Sequence, residues 1–235
     1  MSWLDREHTI APPGFNRWLV PPAALAVHLC IGQAYATSVY KTALVKHFGA
    51  SLTEIGVIFS IAIVMLGLSA AVMGTWVDTN GPRKAMFTSA VFWSGGFLIG
   101  SLGIFTHQLW LVYLGYGVVG GIGLGIGYIS PVSTLIKWFP DRPGLATGMA
   151  IMGFGGGALI ASPVSTALLK LYDPNSGAKD WVASGDAVGR LFLTLAVVYL
   201  AYMLFGAFTI RVPADGWRPT GFDPARVKAA KLVTT

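Results

Sequence analysis

Polar and apolar residues fall in long blocks along this chain rather than alternating within them. Six windows, residues 19–40, 55–76, 85–106, 107–136, 143–169 and 191–210, contain no Asp, Glu, Lys or Arg, and all 26 charged residues lie between or beyond them. Each window holds 20 residues or more. At about 1.5 Å per residue that is enough helix to cross a hydrocarbon layer of about 30 Å. A water-facing helix of this length would carry a charged stripe. Six windows without one predict lipid as the solvent and an all-α protein of six transmembrane helices.

The charged segments supply the punctuation. A polar lead-in covers residues 1–18, and the predicted connections lie at Lys41–Glu54, Asp78–Lys84, Thr106–Gln108, Lys137–Gly144 and about Lys170–Arg190. Beyond Arg211 the chain turns polar and carries Pro213, Gly216, Pro219, Gly221 and Pro224, the composition of a linker or unstructured tail. The expected organisation is therefore an N-terminal segment (1–18), a six-helix transmembrane unit (19–212) and a tail (213–235). No fixed-period repeat interrupts it.

Composition changes the picture in three places. Charged residues make up 11% of the chain, against about 25% in an average soluble domain. The formal charge of +6 therefore reads as topology rather than as nucleic-acid affinity. With both termini cytoplasmic, the inside segments carry eleven Lys and Arg and the outside segments five, as the positive-inside rule requires. The one cysteine, Cys30, lies in the first window, forms no internal disulfide and reads as a small packing residue. Arg17, the apolar run and Ala34-Tyr35-Ala36 mimic a cleavable signal, but the pattern continues past Ala36. Pro21 and Pro22 suit the first turn of a helix, where a missing N–H is tolerated.

Glycine marks where helices should approach. Gly117, Gly121 and Gly125 recur every four residues in the fourth window, and Gly120, Gly123 and Gly127 fill the adjoining stripe. Gly144, Gly148, Gly153 and Gly157 do the same in the fifth. The run Gly115-x-Gly117-x-x-Gly120 matches a dinucleotide fingerprint in form only, because no βαβ pattern surrounds it. Pro131 and Pro163 remove backbone hydrogen bonds late in two spans and predict kinks.

Two loop signatures carry more. Gly74-Thr-Trp-Val-Asp78-Thr-Asn-Gly81-Pro82-Arg83-Lys84 joins the second and third windows. Gly74 is expected to allow close packing and Gly81 a turn. Asp78 would accept from backbone donors at a helix N-terminus, and Arg83 and Lys84 would hold the loop at the cytoplasmic surface. The second run is Lys137-Trp138-Phe139-Pro140-Asp141-Arg142-Pro143-Gly144-Leu145-Ala146-Thr147-Gly148. There Trp138 and Phe139 suit the headgroup zone and Pro140 enforces a turn.

The first run resembles the loop between the second and third helices of major facilitator superfamily transporters. Both runs together, with Gln33-Ala-Tyr35-Ala-Thr37-Ser-Val-Tyr40, resemble the oxalate/formate antiporter family over about residues 20–215. Thr79 and Pro82 stand where the superfamily loop usually has basic residues, which removes charge from its network. The resemblance implies the N-terminal six-helix half of that fold, an inverted three-plus-three repeat. It also implies secondary transport of small organic anions, such as oxalate, formate or other carboxylates, by alternating access without a chemical step. In such a protein the first, fourth and fifth helices line a central cavity, which makes Gln33, Tyr35, Thr37, Tyr40, Tyr128 and Phe154 the substrate-binding candidates. Phe154 stands where a tyrosine can occur.

Gln33, Thr37 and Tyr40 also form a polar stripe at helical spacing without any resemblance. His28 is the only ionisable side chain deep in a window and reads as a packing histidine or a proton relay. His8, His47 and His107 show no metal-ligand spacing, so no metal or cofactor is expected. No Lys or Arg lies mid-window, although a carboxylate in a dry cavity needs a positive partner. The resemblance places that charge in a second six-helix half, from the same gene product or another chain. The expected setting is the cytoplasmic (inner) membrane, with the bilayer and a small carboxylate as partners. Transport of another solute and a non-transporting scaffold or sensor stay open. An intramembrane hydrolase is disfavoured, because Ser94 lacks the glycine that precedes a nucleophile elbow serine.

Overall fold

The computed structural model describes residues 3–222; the tail residues Arg226, Lys228 and Lys231, counted above as inside charges, lie outside the described residues. Six helices are long and apolar enough to cross a membrane: α1 (Arg17–Ala36), α2 (Leu52–Asn80), α3 (Pro82–Phe105), α4 (Leu109–Trp138), α5 (Pro143–Tyr172) and α6 (Gly185–Thr209). Among the described residues the only β pairing is one isolated bridge, Ile10 with Val212. The reason is general: in hydrocarbon every backbone N–H and C=O must bond within the segment, and a helix does this alone.

Two connections are tighter than the charge pattern suggests. The predicted loop at Lys41–Glu54 is helical as far as Phe48, as an extension of α1 over Ser38–Phe48. Gly49 then ends it at φ +61°, and a capping box opens α2: Glu54 N–H donates to Ser51 Oγ (3.2 Å) and Ser51 N–H to Glu54 Oε2 (2.7 Å). The predicted turn at Asp78–Lys84 shrinks to one residue. α2 runs through Asn80, α3 starts at Pro82, and Gly81 alone makes the corner at φ +86°.

The packing has the symmetry of an inverted repeat. The principal neighbours are α3 with α6, α2 with α4, α3 with α4, α1 with α5, α1 with α6, and α1 with α4. Exchanging each helix with the one three places away turns α2–α4 into α5–α1 and α3–α4 into α6–α1, and leaves the other two pairs unchanged. This is the three-plus-three arrangement of half a transporter fold. α1 is the most enclosed span, whereas α2 and α5 are the least.

Glycine stripes set the approach distances. Gly117, Gly121 and Gly125 of α4 face α2, where an added Cβ would press on Ile61, on Met65 and Ala62, and on Ser69 and Leu66 respectively. Gly120, Gly123 and Gly127 face α3 instead, against Trp93, Phe92 and Ser89. The two stripes thus serve two neighbours. On α5 only the later pair works this way: Gly153 lies on Leu25 and His28, and Gly157 on Leu29 and Gly32, whereas Gly144 and Gly148 have open space. Hydroxyl groups add bonds between helices: Ser89 Oγ donates to Gly123 O (2.6 Å) across the α3–α4 stripe, and Ser101 Oγ to Gly189 O (2.8 Å) between α3 and α6.

Gly74 does not pack closely, contrary to its expected role; no atom lies within 4 Å of where its Cβ would be. The contrast yields a test. Gly125→Val should lower the thermal midpoint of the purified protein, at a penalty of about 1–3 kcal/mol from overpacking. Gly74→Ala should leave it unchanged or raise it, by at most about 1 kcal/mol, because alanine is the better helix former. Equal losses for both would mean that α4 does not meet α2 through this stripe.

Candidate functional site

Four aromatic side chains from four helices form a chain on one side of the bundle. Tyr35 of α1 lies between Phe59 of α2 (ring centroids 6.1 Å apart) and Phe154 of α5 (5.1 Å, edge to face). Phe154 in turn meets Tyr128 of α4 edge to face at 5.2 Å. Tyr35 is 46% exposed, and Phe59, Tyr128 and Phe154 are half-buried. The crossing of α1 and α5 at Gly32 and Gly157 creates this arrangement, since a Cβ on Gly32 would collide with Phe154 O. Behind it His28, fully buried, stacks on Tyr128 at 5.8 Å, and its Nε2–H donates to Tyr128 O at 3.1 Å.

The predicted stripe Gln33, Thr37 and Tyr40 does not open onto this group as a unit. Gln33 is fully buried; its amide donates to Tyr40 Oη (3.2 Å), and its Oε1 accepts from Tyr116 Oη (3.3 Å). Phe192 closes over Tyr40 edge to face at 5.2 Å, and Phe97 over Tyr116 at 5.2 Å. These three polar groups satisfy one another inside the bundle, as buried groups must. They form a brace from α1 to α4. Two helical breaks shape it: α1 narrows to a 3₁₀ turn over Gly32–Ala36, and α4 widens to a π turn over Tyr113–Gly120. Thr37 points elsewhere, into a small pocket shared with Tyr40, Lys41 and Phe59. Sequence reading missed Tyr116 and Phe59, because one apolar aromatic in a charge-free span looks like any other.

The loop signatures gather at one end of the bundle with the N-terminal segment and the chain after α6. Asp78 does not cap a helix as expected; it is exposed and pairs with Lys137 of α4 at 3.8 Å. Arg83 is not a surface anchor either. It is 4% exposed, donating to Trp3 O (3.0 Å) and Phe208 O (3.4 Å). Lys84 donates to Asn80 Oδ1 at 3.0 Å across the Gly81 corner. Trp138 and Phe139 are buried within the protein: Trp138 Nε1–H donates to Arg211 O (2.8 Å), and its ring meets Phe15 and Trp217. Pro140 lies in the turn that follows, and Gly144, in the first turn of α5, has open space where a side chain would stand.

Asp141 is the organising charge here. Arg17 grips it with two bonds, Nη1 to Oδ1 at 2.6 Å and Nη2 to Oδ2 at 2.9 Å, while Arg142 stands 3.7 Å away. The Arg17 guanidinium holds the Asp141 carboxyl below the usual carboxylate range. A lowered carboxyl stabilises the fold above its unfolded value of about 3.9, and that stabilisation disappears as pH falls through the lower folded value. Asp141→Asn should therefore destabilise the protein at pH 7 by about 1–2 kcal/mol, and by progressively less as melts are taken towards pH 3. An equal deficit at both pH values would contradict the ion pair.

At the opposite end, His47 and His107 stack at 3.9 Å, and Asp173 orders the loop before α6 by accepting from Asn175 N–H, Ser184 N–H and Trp181 Nε1–H. Those bonds hold its carboxyl below the usual range.

The sequence profile of the Major Facilitator Superfamily matches residues 23–234. The chain is 28% identical over 202 residues to the oxalate:formate antiporter of Oxalobacter formigenes, covering 85% of this chain and 44% of that protein. It is 32% identical over 154 residues to apicoplast pyruvate carrier 1 of Toxoplasma gondii, covering 58% and 27% of the two chains. It is 28% identical over 162 residues to monocarboxylate transporter 9 of Gallus gallus, covering 68% and 31%. The chain thus covers less than half of each of these relatives. With a profile match along nearly its whole length and six spans packed as an inverted repeat, the chain is an integral membrane protein of the major facilitator superfamily.

Proposed function

We propose that this protein is the N-terminal half of a secondary transporter for small organic carboxylates, in the class of oxalate, formate and short monocarboxylates. The observation that carries this reading is the aromatic group Phe59, Tyr35, Phe154 and Tyr128, contributed by four helices and left partly open. Aromatic rings present a positive edge, and a tyrosine hydroxyl donates a hydrogen bond, so such a group receives a planar anion side-on. The names of the relatives support the substrate class, since they name oxalate, formate, pyruvate and monocarboxylates. The geometry supports a division of the predicted residues. Tyr35, Tyr128 and Phe154 contact the substrate; Gln33 and Tyr40 brace the helices that carry them.

Mid-span positive charge is absent from the described spans, so the neutralising cation comes from a second six-helix half docked on the side where Tyr35 is exposed. Alternating access then consists of rocking one half against the other, with no chemical step. The end that holds Arg17, Arg83, Lys84, Lys137 and Arg142 faces the cytoplasm, following the positive-inside rule. That puts both termini inside, with residues 1–18 as a cytoplasmic segment and 213–235 as a linker, in the cytoplasmic membrane.

The test is exchange in proteoliposomes, with the protein assembled with its second half. Labelled formate or oxalate should exchange, and unlabelled carboxylates but not sugars should compete. Tyr35→Ala and Tyr128→Ala should each raise the half-saturating concentration by about tenfold. Binding without flux would favour a scaffold or sensor. Competition by sugars alone would move the protein to another substrate class.

A further inference from the structure

The region of the predicted Lys41–Glu54 loop contains a feature that the transport reading leaves unused. Past Ala36 the chain stays helical, so Thr37 and Lys41 stand four residues apart on one face, over a cavity of about 130 Å³. Leu44, Ile55, Gly56, Ile58 and Phe59 form its apolar walls. Gly56 leaves room for the lysine; a Cβ there would lie 3.6 Å from Nζ. Among the described residues neither the Lys41 ammonium nor the Thr37 hydroxyl has a side-chain partner. Glu54, two residues before Gly56, is held in the capping box with Ser51. Tyr40 also lines the cavity, but its hydroxyl is engaged by Gln33.

The cavity therefore offers two hydrogen-bond donors, one of them charged, and no acidic side chain lines it. That is an anion's complement. It has room for a small carboxylate. Phe59 is shared: one side walls this cavity, and the ring meets Tyr35 of the aromatic group. We propose that Thr37 and Lys41 form an outer carboxylate subsite, in which the ammonium and the hydroxyl take the two oxygens of the anion before it passes Phe59 to the aromatic group. This rests on the carboxylate reading above. It gives that reading a cation within this chain, on the side away from the Arg17–Asp141 pair.

The first experiment needs no variant. The purified protein is treated with an amine-reactive ester, and labelling of Lys41, Lys46 and Lys179 is followed by mass spectrometry in formate, oxalate or chloride at equal ionic strength. Either carboxylate should slow Lys41 labelling at least about threefold and leave Lys46 and Lys179 unaffected. In exchange assays Lys41→Gln should raise the half-saturating formate concentration about tenfold with little change in maximal rate. Lys41→Arg should stay within about threefold of the parent, and Thr37→Val should show a smaller rise. If the parent protein exchanges formate but Lys41 labels equally in formate and chloride, the outer subsite is wrong and the transport reading stands. If the parent neither exchanges nor is protected by either carboxylate, both fall.

Discussion

Close contact between helix backbones is the constraint on which the rest of this structure depends. Between spans in lipid there is no hydrophobic drive, because acyl chains are as apolar as leucine; association relies on dispersion and interhelical hydrogen bonds, both of which need short distances. α4 meets this need twice, with one glycine stripe against α2 and another against α3. The Gly32–Gly157 crossing does the same between α1 and α5. Once these crossings are fixed, serine hydroxyls reach carbonyls on the next helix, and the relation between the two three-helix repeats follows.

The polar interior is a consequence of that geometry. Gln33, Tyr40 and Tyr116 come from α1, its extension and α4, and can satisfy one another only because those helices approach closely. The same crossings turn Tyr35 outward beside Phe154 and set Tyr128 next to it. A buried brace and an open aromatic face thus arise from neighbouring residues of one helix. The brace ties together the helices that carry the aromatic face.

Different contacts tie the two ends of the bundle. At one end Arg17–Asp141, Arg83 and Trp138 link the N-terminal segment, the α2–α3 corner, the α4–α5 turn and the chain after α6. The bridge between Ile10 and Val212 adds backbone bonds to the same group. At the other end are a histidine stack, the bonds from His47 Nε2 to Ile104 O and from Tyr113 Oη to Glu54 O, and the loop ordered by Asp173. A basic residue of the loop signature is therefore used inside the protein, where Arg83 ties α3 to the N-terminal segment and to the end of α6.

Much of this was legible in the residues alone. Six charge-free windows become six spans, because the penalty for a charge in hydrocarbon is paid residue by residue and needs no knowledge of neighbours. The glycine spacing likewise located the close-packing faces of α4. What could not be read was which neighbour each face meets and which side chain points inward. Gln33 and Tyr35 are two residues apart and chemically alike as candidates, yet one is fully buried and the other half open. The 3₁₀ turn of α1 shifts the register between them, and the partner of Gln33 arrives from a helix more than 80 residues later. The same limit explains Arg83 and Trp138, whose expected roles came from position relative to the membrane, and Gly74, whose expected role needed a neighbouring helix that does not come close. Membrane depth is written locally in the sequence; lateral packing is a long-range property, and only the tertiary structure decided it.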